Sequence, residues 1–338
     1  MKTNNQKTAG FILFLICLVQ YSTAQITYSN DILGGDFKKA TIHQPDDYEG
    51  NITCTLVRKL ANKKSTKAVL YIHGFNDYFF QEEMADEYTS HGINFYALDL
   101  RKYGRSILPN HKMNNVRDLR EYFADIDTAL KIIQQEGSVK TILSGHSTGG
   151  LIVTYYAQQH RNSKLFHALF LNSPFFDFNA PIPTEQTPIP KLAKQGQTTP
   201  DSLNKRGTST LYGESLHKSA RGEWNYSLEW KPFISEATNY GWLNAIYTAQ
   251  QNIKKGPKIT QPILLMYSDN TVRTTTWTDR MFTGDAVLDV KDISEIGAKI
   301  KGRKTIVVIK NGMHDLVLSP KPVRDMVYTE LFSWLAKF

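Results

Sequence analysis

Five residues, Gly145-His146-Ser147-Thr148-Gly149, constrain this chain more than any others. They match the pattern G-x-S-x-G, and their flanks fit it. Thr141-Ile142-Leu143-Ser144 is a short apolar run that reads as a buried strand, and residues 150–157 (GLIVTYYA) read as a helix. A strand that turns sharply into a helix lifts the central side chain, here Ser147, clear of the sheet edge. The turn crowds the backbone, so Gly145 and Gly149 supply positions without side chains. The amide of Thr148, at the start of the helix, then faces a developing oxyanion with the help of the helix dipole. The alternative reading is a structural glycine-rich turn with an idle serine.

Around this turn, short β-rich runs alternate with longer helical patterns. The strand candidates are residues 68–72 (AVLYI), 95–98, 141–144, 169–171, 262–267 and 305–309 (TIVVI). Near-continuous apolar runs of this kind are expected of parallel strands buried on both faces. Helical spacing covers residues 79–91, 116–136 and 151–160, and residues 322–337 read as a closing helix. The alternation predicts an α/β chain with a mostly parallel, doubly wound sheet, and the segment before residue 60 adds antiparallel strands at one edge. Residues 179–255 break the rhythm. They are rich in Pro, Gln, Thr, Ser and Lys and then in aromatics: Trp224, Tyr226, Trp230, Phe233, Tyr240, Trp242 and Tyr247. This stretch reads as an inserted cap over the strand ends, between a first core part at 25–178 and a second at 256–338. Its aromatics either line an apolar pocket or form the cap's own small core.

The first 24 residues read as a cleaved signal for export. Lys2 and Lys7 precede a short apolar run at residues 11–19, and Ser22-Thr23-Ala24 offers the small residues of a cleavage site before Gln25. Loss of the two lysines takes the formal charge from +8 to +6 (8 − 2), because residues 1–24 hold no other charged side chain. Moderate positive charge favours anionic surfaces such as a membrane. No long basic run is present, which argues against nucleic acid. Cys17 leaves with the signal, so Cys54 stands alone and the mature chain forms no internal disulfide.

A serine hydroxyl needs a base, a group that orients the base, and an oxyanion hole. His314, in Asn311-Gly312-Met313-His314-Asp315, follows the last strand candidate, where the base belongs. The other histidines read as surface or packing residues, with His146 shaping the turn. His73-Gly74-Phe75 follows the strand at 68–72; His73 organises this loop, and the backbone amides of Phe75 and Thr148 are assigned to the hole. Three aspartates compete for the acid. Asp269 directly follows residues 262–268, the strand candidate and Ser268. Asp285 precedes a helix-like stretch at 290–300 and lies 29 residues before His314, and Asp289 is close behind it.

Four stretches together resemble the α/β-hydrolase superfamily, in the branch of monoacylglycerol lipases, lysophospholipases and serine-aminopeptidase-like hydrolases. They are His73-Gly74, residues 99–106 (DLRKYGRS), residues 145–150, and residues 285–289 (DAVLD) taken with Gly312-Met313-His314. The second resembles the pattern D-x-R-G-x-G-x-S, with Lys102 where glycine is usual. The fourth favours Asp285 as the acid and makes residues 270–284 an inserted loop. The resemblance implies a serine hydrolase with Ser147, His314 and Asp285 as its triad and no metal or organic cofactor. It implies a small-molecule acyl ester or lipid as substrate, such as a monoacylglycerol or lysophospholipid. Two rivals remain: a peptidase that holds a free amino terminus with cap carboxylates such as Glu214, Glu223, Glu229 or Glu236, and an envelope binding protein that has lost catalysis.

Overall fold

Near-continuous apolar runs bury both faces of the central strands of a nine-stranded sheet. The run at residues 305–309 instead forms an edge strand and is largely exposed, with Ile306 38% and Val308 51% accessible, because no strand covers its outer side. The computed structural model describes residues 26–204, 209–234 and 237–337, so the expected signal segment and Glu236 lie outside the described residues. In chain order the elements are β1 (Ser29–Asn30), β2 (Lys38–Asp47), β3 (Gly50–Lys59), β4 (Lys67–Ile72), α1 (Glu82–Ser90), β5 (Asn94–Asp99), α2 (Glu121–Gln135), β6 (Lys140–His146), α3 (Thr148–Gln159) and β7 (Ala168–Asn172). Then come α4 (Ile189–Gln195), β8 (Leu203–Asn204), α5 (Leu211–Leu216), β9 (Thr238–Asn239), α6 (Tyr240–Lys254), β10 (Ile263–Ser268), α7 (Val290–Lys299), β11 (Lys304–Ile309) and α8 (Lys321–Leu335).

The sheet order is β1-β2-β3-β5-β4-β6-β7-β10-β11. The pairings from β5 through β4, β6, β7 and β10 to β11 are all parallel, and β1, β2 and β3 add an antiparallel edge, as the sequence predicts. In β4, Ala68, Leu70 and Ile72 join the core on one face, with α2, α3, α6 and α7, while Val69 and Tyr71 join the core on the other, with α1 and α8. Period-two burial on both faces is what a strand sandwiched between helical layers requires. This is the mostly parallel, doubly wound arrangement expected.

The region at 179–255 differs from expectation at its C-terminal end. Helix α6 is no part of a projecting cap. Its Trp242, Leu243, Ala245, Ile246, Ala249 and Ile253 are buried in the main core, in the layer that holds α3 and α7. Asn239 caps it by accepting the Trp242 N–H at 2.8 Å. Helix α5 is the element of this region that lines the cavity at the strand ends, and a short antiparallel pair, β8–β9, ties residues 203–204 to 238–239.

Lys102, the departure from the glycine-bearing pattern, adopts φ 65°, the left-handed conformation that glycine takes without strain. The buried side chain reaches the turn between β2 and β3, where its ammonium lies 2.7 Å from Asp47 and 3.0 Å from Glu49. Those two ion pairs offset the strain.

Candidate active site

The serine sits where the backbone is crowded on both sides. Ser147 has φ 52° and ψ −117°, between the last residue of β6 and the first of α3. A side-chain carbon on Gly145 would come within 2.4 Å of the Gly149 carbonyl oxygen, and one on Gly149 within 2.3 Å of the Ile72 carbonyl oxygen. Both positions therefore exclude every residue but glycine. The strained serine is held from both sides: its N–H donates to Asn172 O at 3.0 Å, and its carbonyl accepts from Phe175 N–H at 2.9 Å.

His314 lies on the loop after β11, with Nε2 2.9 Å from Ser147 Oγ and Nδ1 2.9 Å from Asp285 Oδ2. The other Asp285 oxygen accepts the backbone N–H groups of Val287 at 2.8 Å and Leu288 at 2.7 Å, which fixes the carboxylate in place. Of the three aspartates weighed from sequence, Asp285 is the one brought to His314. Asp269 accepts the Asn311 N–H at 2.9 Å and braces the turn ahead of His314. Asp289 caps α7 through the Lys291 N–H at 3.0 Å and pairs with Arg273. A hydroxyl, an imidazole and a carboxylate in series are the groups needed to withdraw a proton from the hydroxyl and to stabilise the imidazolium that results.

The loop at 73–77 stands over the same serine. His73 is buried and locked in one tautomer: Nε2 accepts the Leu100 N–H at 3.1 Å, so Nδ1 carries the proton and donates to Gly74 O at 2.8 Å. Burial holds its pKa below the usual histidine value, in keeping with a neutral, loop-organising role. Gly74 approaches the elbow so closely that a side-chain carbon there would lie 3.3 Å from Ser147 Cβ. The Phe75 amide has no hydrogen-bond partner among the described residues, and the Thr148 amide, in the first turn of α3, has no carbonyl one turn back to pair with. Asn114 braces the loop from behind by accepting the Asn76 N–H at 3.1 Å.

Ser147 and His314 open into a cavity of about 360 Å³. Its apolar wall includes Leu211, Leu216, Tyr226, Phe233, Val272 and Met281, and with Tyr212 three aromatics of the segment 179–255 line it. Other aromatics of the segment pack elsewhere; Trp242 packs against Phe75 with ring centres 4.8 Å apart and planes tilted by 52°, and Trp224 donates to Leu318 O at 2.9 Å. The polar corner consists of Asn76, Asp77, His146 and Lys231. Lys231 donates to Asp77 at 2.8 Å, and both are buried. Proximity of that ammonium overrides the burial penalty and holds the Asp77 carboxyl far below its usual range. Asn76 Oδ1, Asp77 Oδ2 and both ring nitrogens of His146 are buried without a hydrogen-bond partner. Sequence reasoning missed the Asp77–Lys231 pair, Asn114 and Met281. Lys231 stands between Trp230 and Pro232 in an aromatic run, and nothing in that run signals a partner 154 residues earlier. Among the described residues, no cluster of His, Cys, Asp and Glu suits a metal ion.

The parallel sheet, the strained serine at its centre and the interrupting segment over the strand ends define an α/β-hydrolase. Residues 63–321 match the family described as serine aminopeptidase, S33, and the chain belongs to that family of hydrolases. Solved structures agree in fold. A soluble variant of monoglyceride lipase from Saccharomyces cerevisiae, in complex with a substrate analog, superposes with a TM-score of 0.64 at 15% identity, over 88% of this chain and 94% of that one. The monoacylglycerol lipase of Paleococcus ferrophilus gives 0.61 at 16% identity, over 83% and 98%. A carboxyl esterase from Bacillus coagulans, in complex with glycerol, gives 0.61 at 15% identity, over 90% and 99%.

Proposed function

We propose that the chain is an exported serine hydrolase that cleaves small carboxylic esters through an acyl-enzyme on Ser147. The observation that carries this reading is the pair of 2.9 Å contacts from His314, one to Ser147 and one to Asp285, at the wall of a cavity. In the reaction, His314 Nε2 takes the Ser147 proton as Oγ attacks the ester carbonyl carbon. The Phe75 and Thr148 amides receive the oxyanion. The tetrahedral species collapses, the C–O bond to the alcohol breaks, and His314 returns the proton to the departing alkoxide. Water repeats the sequence on the acyl-enzyme and releases the acid. Asp285 holds the imidazole in the tautomer with Nδ1 protonated and stabilises its charged form.

The cavity supports an ester over a peptide. A free amino terminus needs a carboxylate whose charge is not already compensated, and the carboxylate among the described lining residues, Asp77, has its charge balanced by Lys231. Glu214 is engaged by Thr210, Glu223 pairs with Arg324, and none of Glu214, Glu223 and Glu229 lines the cavity. The mixture of donors and acceptors in the polar corner suits a hydroxylated alcohol, because a hydroxyl both donates and accepts. A monoacylglycerol or lysophospholipid supplies such an alcohol. The family description keeps a peptidase in view, so the test includes one.

The deciding experiment compares the chain from Gln25 with Ser147→Ala on acyl esters of several lengths, a monoacylglycerol, a lysophospholipid and an aminoacyl amide. Ester turnover that vanishes in the variant supports the reading, and preference for the amide moves it to peptidase. Absence of both turnover and fluorophosphonate labelling at Ser147 leaves the inactive binding protein. Export is tested separately, by sequencing the amino terminus of the chain recovered outside the cytoplasm. The expected first residue is Gln25.

A further inference from the structure

The loop at 270–284 leaves β10 at one side of the cavity and returns at Asp285. Its two ends are stitched together. The Asp285 N–H donates to Asn270 O at 2.9 Å, the Val272 N–H to Asp285 O at 2.7 Å, and Asn270 Nδ2 to Thr283 O at 2.7 Å. The strands of this neck run so close that a side-chain carbon on Gly284 would lie 2.5 Å from Asn270 Oδ1 and 2.6 Å from Val272 Cγ2. Outside the neck, Arg273 donates to Asp289 at 2.7 Å and to Asn179 at 3.0 Å. The loop is therefore an insertion closed at its neck, built onto the residue that faces His314.

Its inner side faces the reaction. Val272, Thr274 and Met281 all line the cavity, and Val272 and Met281 are buried. Met281 comes from a short helical turn, Asp279–Phe282, that packs against α5 of the cap. The cap also reaches the loop through Arg221, whose guanidinium carbon lies 4.3 Å from the centre of the Trp277 ring, and Trp277 packs edge-on against Phe282 at 5.5 Å. Met281 is thus wedged between the cap and the Asp285 stretch. The cavity, about 360 Å³, is near the lower end of the roughly 300–1,000 Å³ typical of ligand pockets.

We propose that this loop is the ruler for acyl length, with the Met281 side chain as its stop, so that the enzyme takes short acyl chains and rejects long ones. The inference rests on the ester reading above. Residues 270–284 shorten the apolar side of the cavity by inserting side chains where an enzyme without the loop would leave room. One methylene in an apolar pocket is worth roughly 10-fold or more in discrimination. Opposite changes at position 281 should therefore move the acyl-length optimum in opposite directions.

The test measures kcat/KM for a series of p-nitrophenyl esters from acetate to decanoate, normalised to sites titrated with a fluorophosphonate. The samples are the chain from Gln25, Met281→Ala and Met281→Phe. Met281→Ala should raise the ratio of octanoate to butyrate turnover about tenfold or more, and Met281→Phe should move the optimum toward acetate. Opposed shifts cannot come from loss of folded protein, which lowers every substrate alike. An unchanged profile in both variants, at wild-type site titre, overturns the ruler while leaving the ester reading intact. So does a uniform change across all chain lengths, which marks a gate. No ester turnover and no labelling in the parent chain overturns the ester reading and the ruler with it.

Discussion

Lys231 Nζ lies 2.8 Å from Asp77 Oδ1 and joins the cap to the loop that carries Phe75. Both members are largely buried at the wall of the cavity. Breaking such a pair from one side typically costs about 3–5 kcal/mol, because a charge is left without compensation. Lys231→Met should destabilise the chain by that order, and adding Asp77→Asn should recover most of the loss. Urea unfolding of the two single variants and the double variant measures the coupling. Additive losses would mean that the pair does not hold the cap.

The same pair has a pH signature. Lys231 keeps the folded-state pKa of Asp77 well below its unfolded value, near 3.9. An unfolded state that binds more protons makes stability rise with pH. The contribution is complete above the unfolded value and is lost as pH falls below it toward the folded one. The slope of stability against pH below about 4 should be shallower in Asp77→Asn than in the parent. Equal slopes in denaturant titrations from pH 2.5 to 5 would count against the pair as an acid-sensitive contact.

Asp285 and Asp269 make a second contrast. Asp285→Asn removes the group that fixes the His314 tautomer and should lower kcat by about 10⁴-fold. Asp269→Asn loosens the turn at Asn311, which costs about 1 kcal/mol of stability and little of kcat. Steady-state kinetics on a short ester, beside thermal unfolding, separates the two. Reversal of the two effects would move the acid to Asp269.

The elbow itself tolerates nothing larger than glycine at its first position. In Gly145→Ala the new carbon would meet the Gly149 backbone at 2.4 Å, a contact that no rotamer change relieves. The expected cost is about 3 kcal/mol or more, with loss of fluorophosphonate labelling. Gly92→Ala is the control, since nothing lies within 4 Å and the cost of about 1–2 kcal/mol comes only from its positive φ. Similar midpoints for the two variants would show that the elbow can relax.

Much of this architecture was legible because it depends on local pattern. Apolar runs such as residues 68–72 can be buried only between two layers, and G-x-S-x-G between a strand and a helix leaves one way to turn. His314 was legible from its place after the last strand. The carboxylate that meets His314 was harder to read, because residues 270–284 separate β10 from Asp285, and pairing across the neck of that loop is invisible in one dimension. The reach of the cap was misjudged because the aromatics at residues 240–247 were read as part of the interrupting segment, and composition says nothing about which layer a helix joins. Lys102 looked like a departure from pattern; only its ion pairs with Asp47 and Glu49 across the β2–β3 turn explain a lysine at positive φ. The polar corner was beyond reach, since Asn76, Asp77, His146 and Lys231 meet only through the fold.

Asp292, in the first turn of α7, carries a carboxyl pushed up to about 6. Partial burial is the largest cause, followed by the negative charges of Asp177 and Asp289, and Lys254 opposes them incompletely. A carboxyl raised on folding binds more protons in the native state than in the unfolded one, so stability falls as pH rises between about 4 and about 6. The penalty is absent below that window and complete above it. Two pH units correspond to nearly 3 kcal/mol at most, and solvent screening of this half-exposed group reduces that to about 1 kcal/mol. Asp292→Asn should therefore be more stable than the parent by about 1 kcal/mol at pH 7.5 and indistinguishable from it at pH 3.5. Urea unfolding at the two pH values decides the matter. An equal gain at both would assign the effect to packing, and a loss at pH 7.5 would mean that ionised Asp292 helps the first turn of α7 through the helix dipole more than its neighbours harm it.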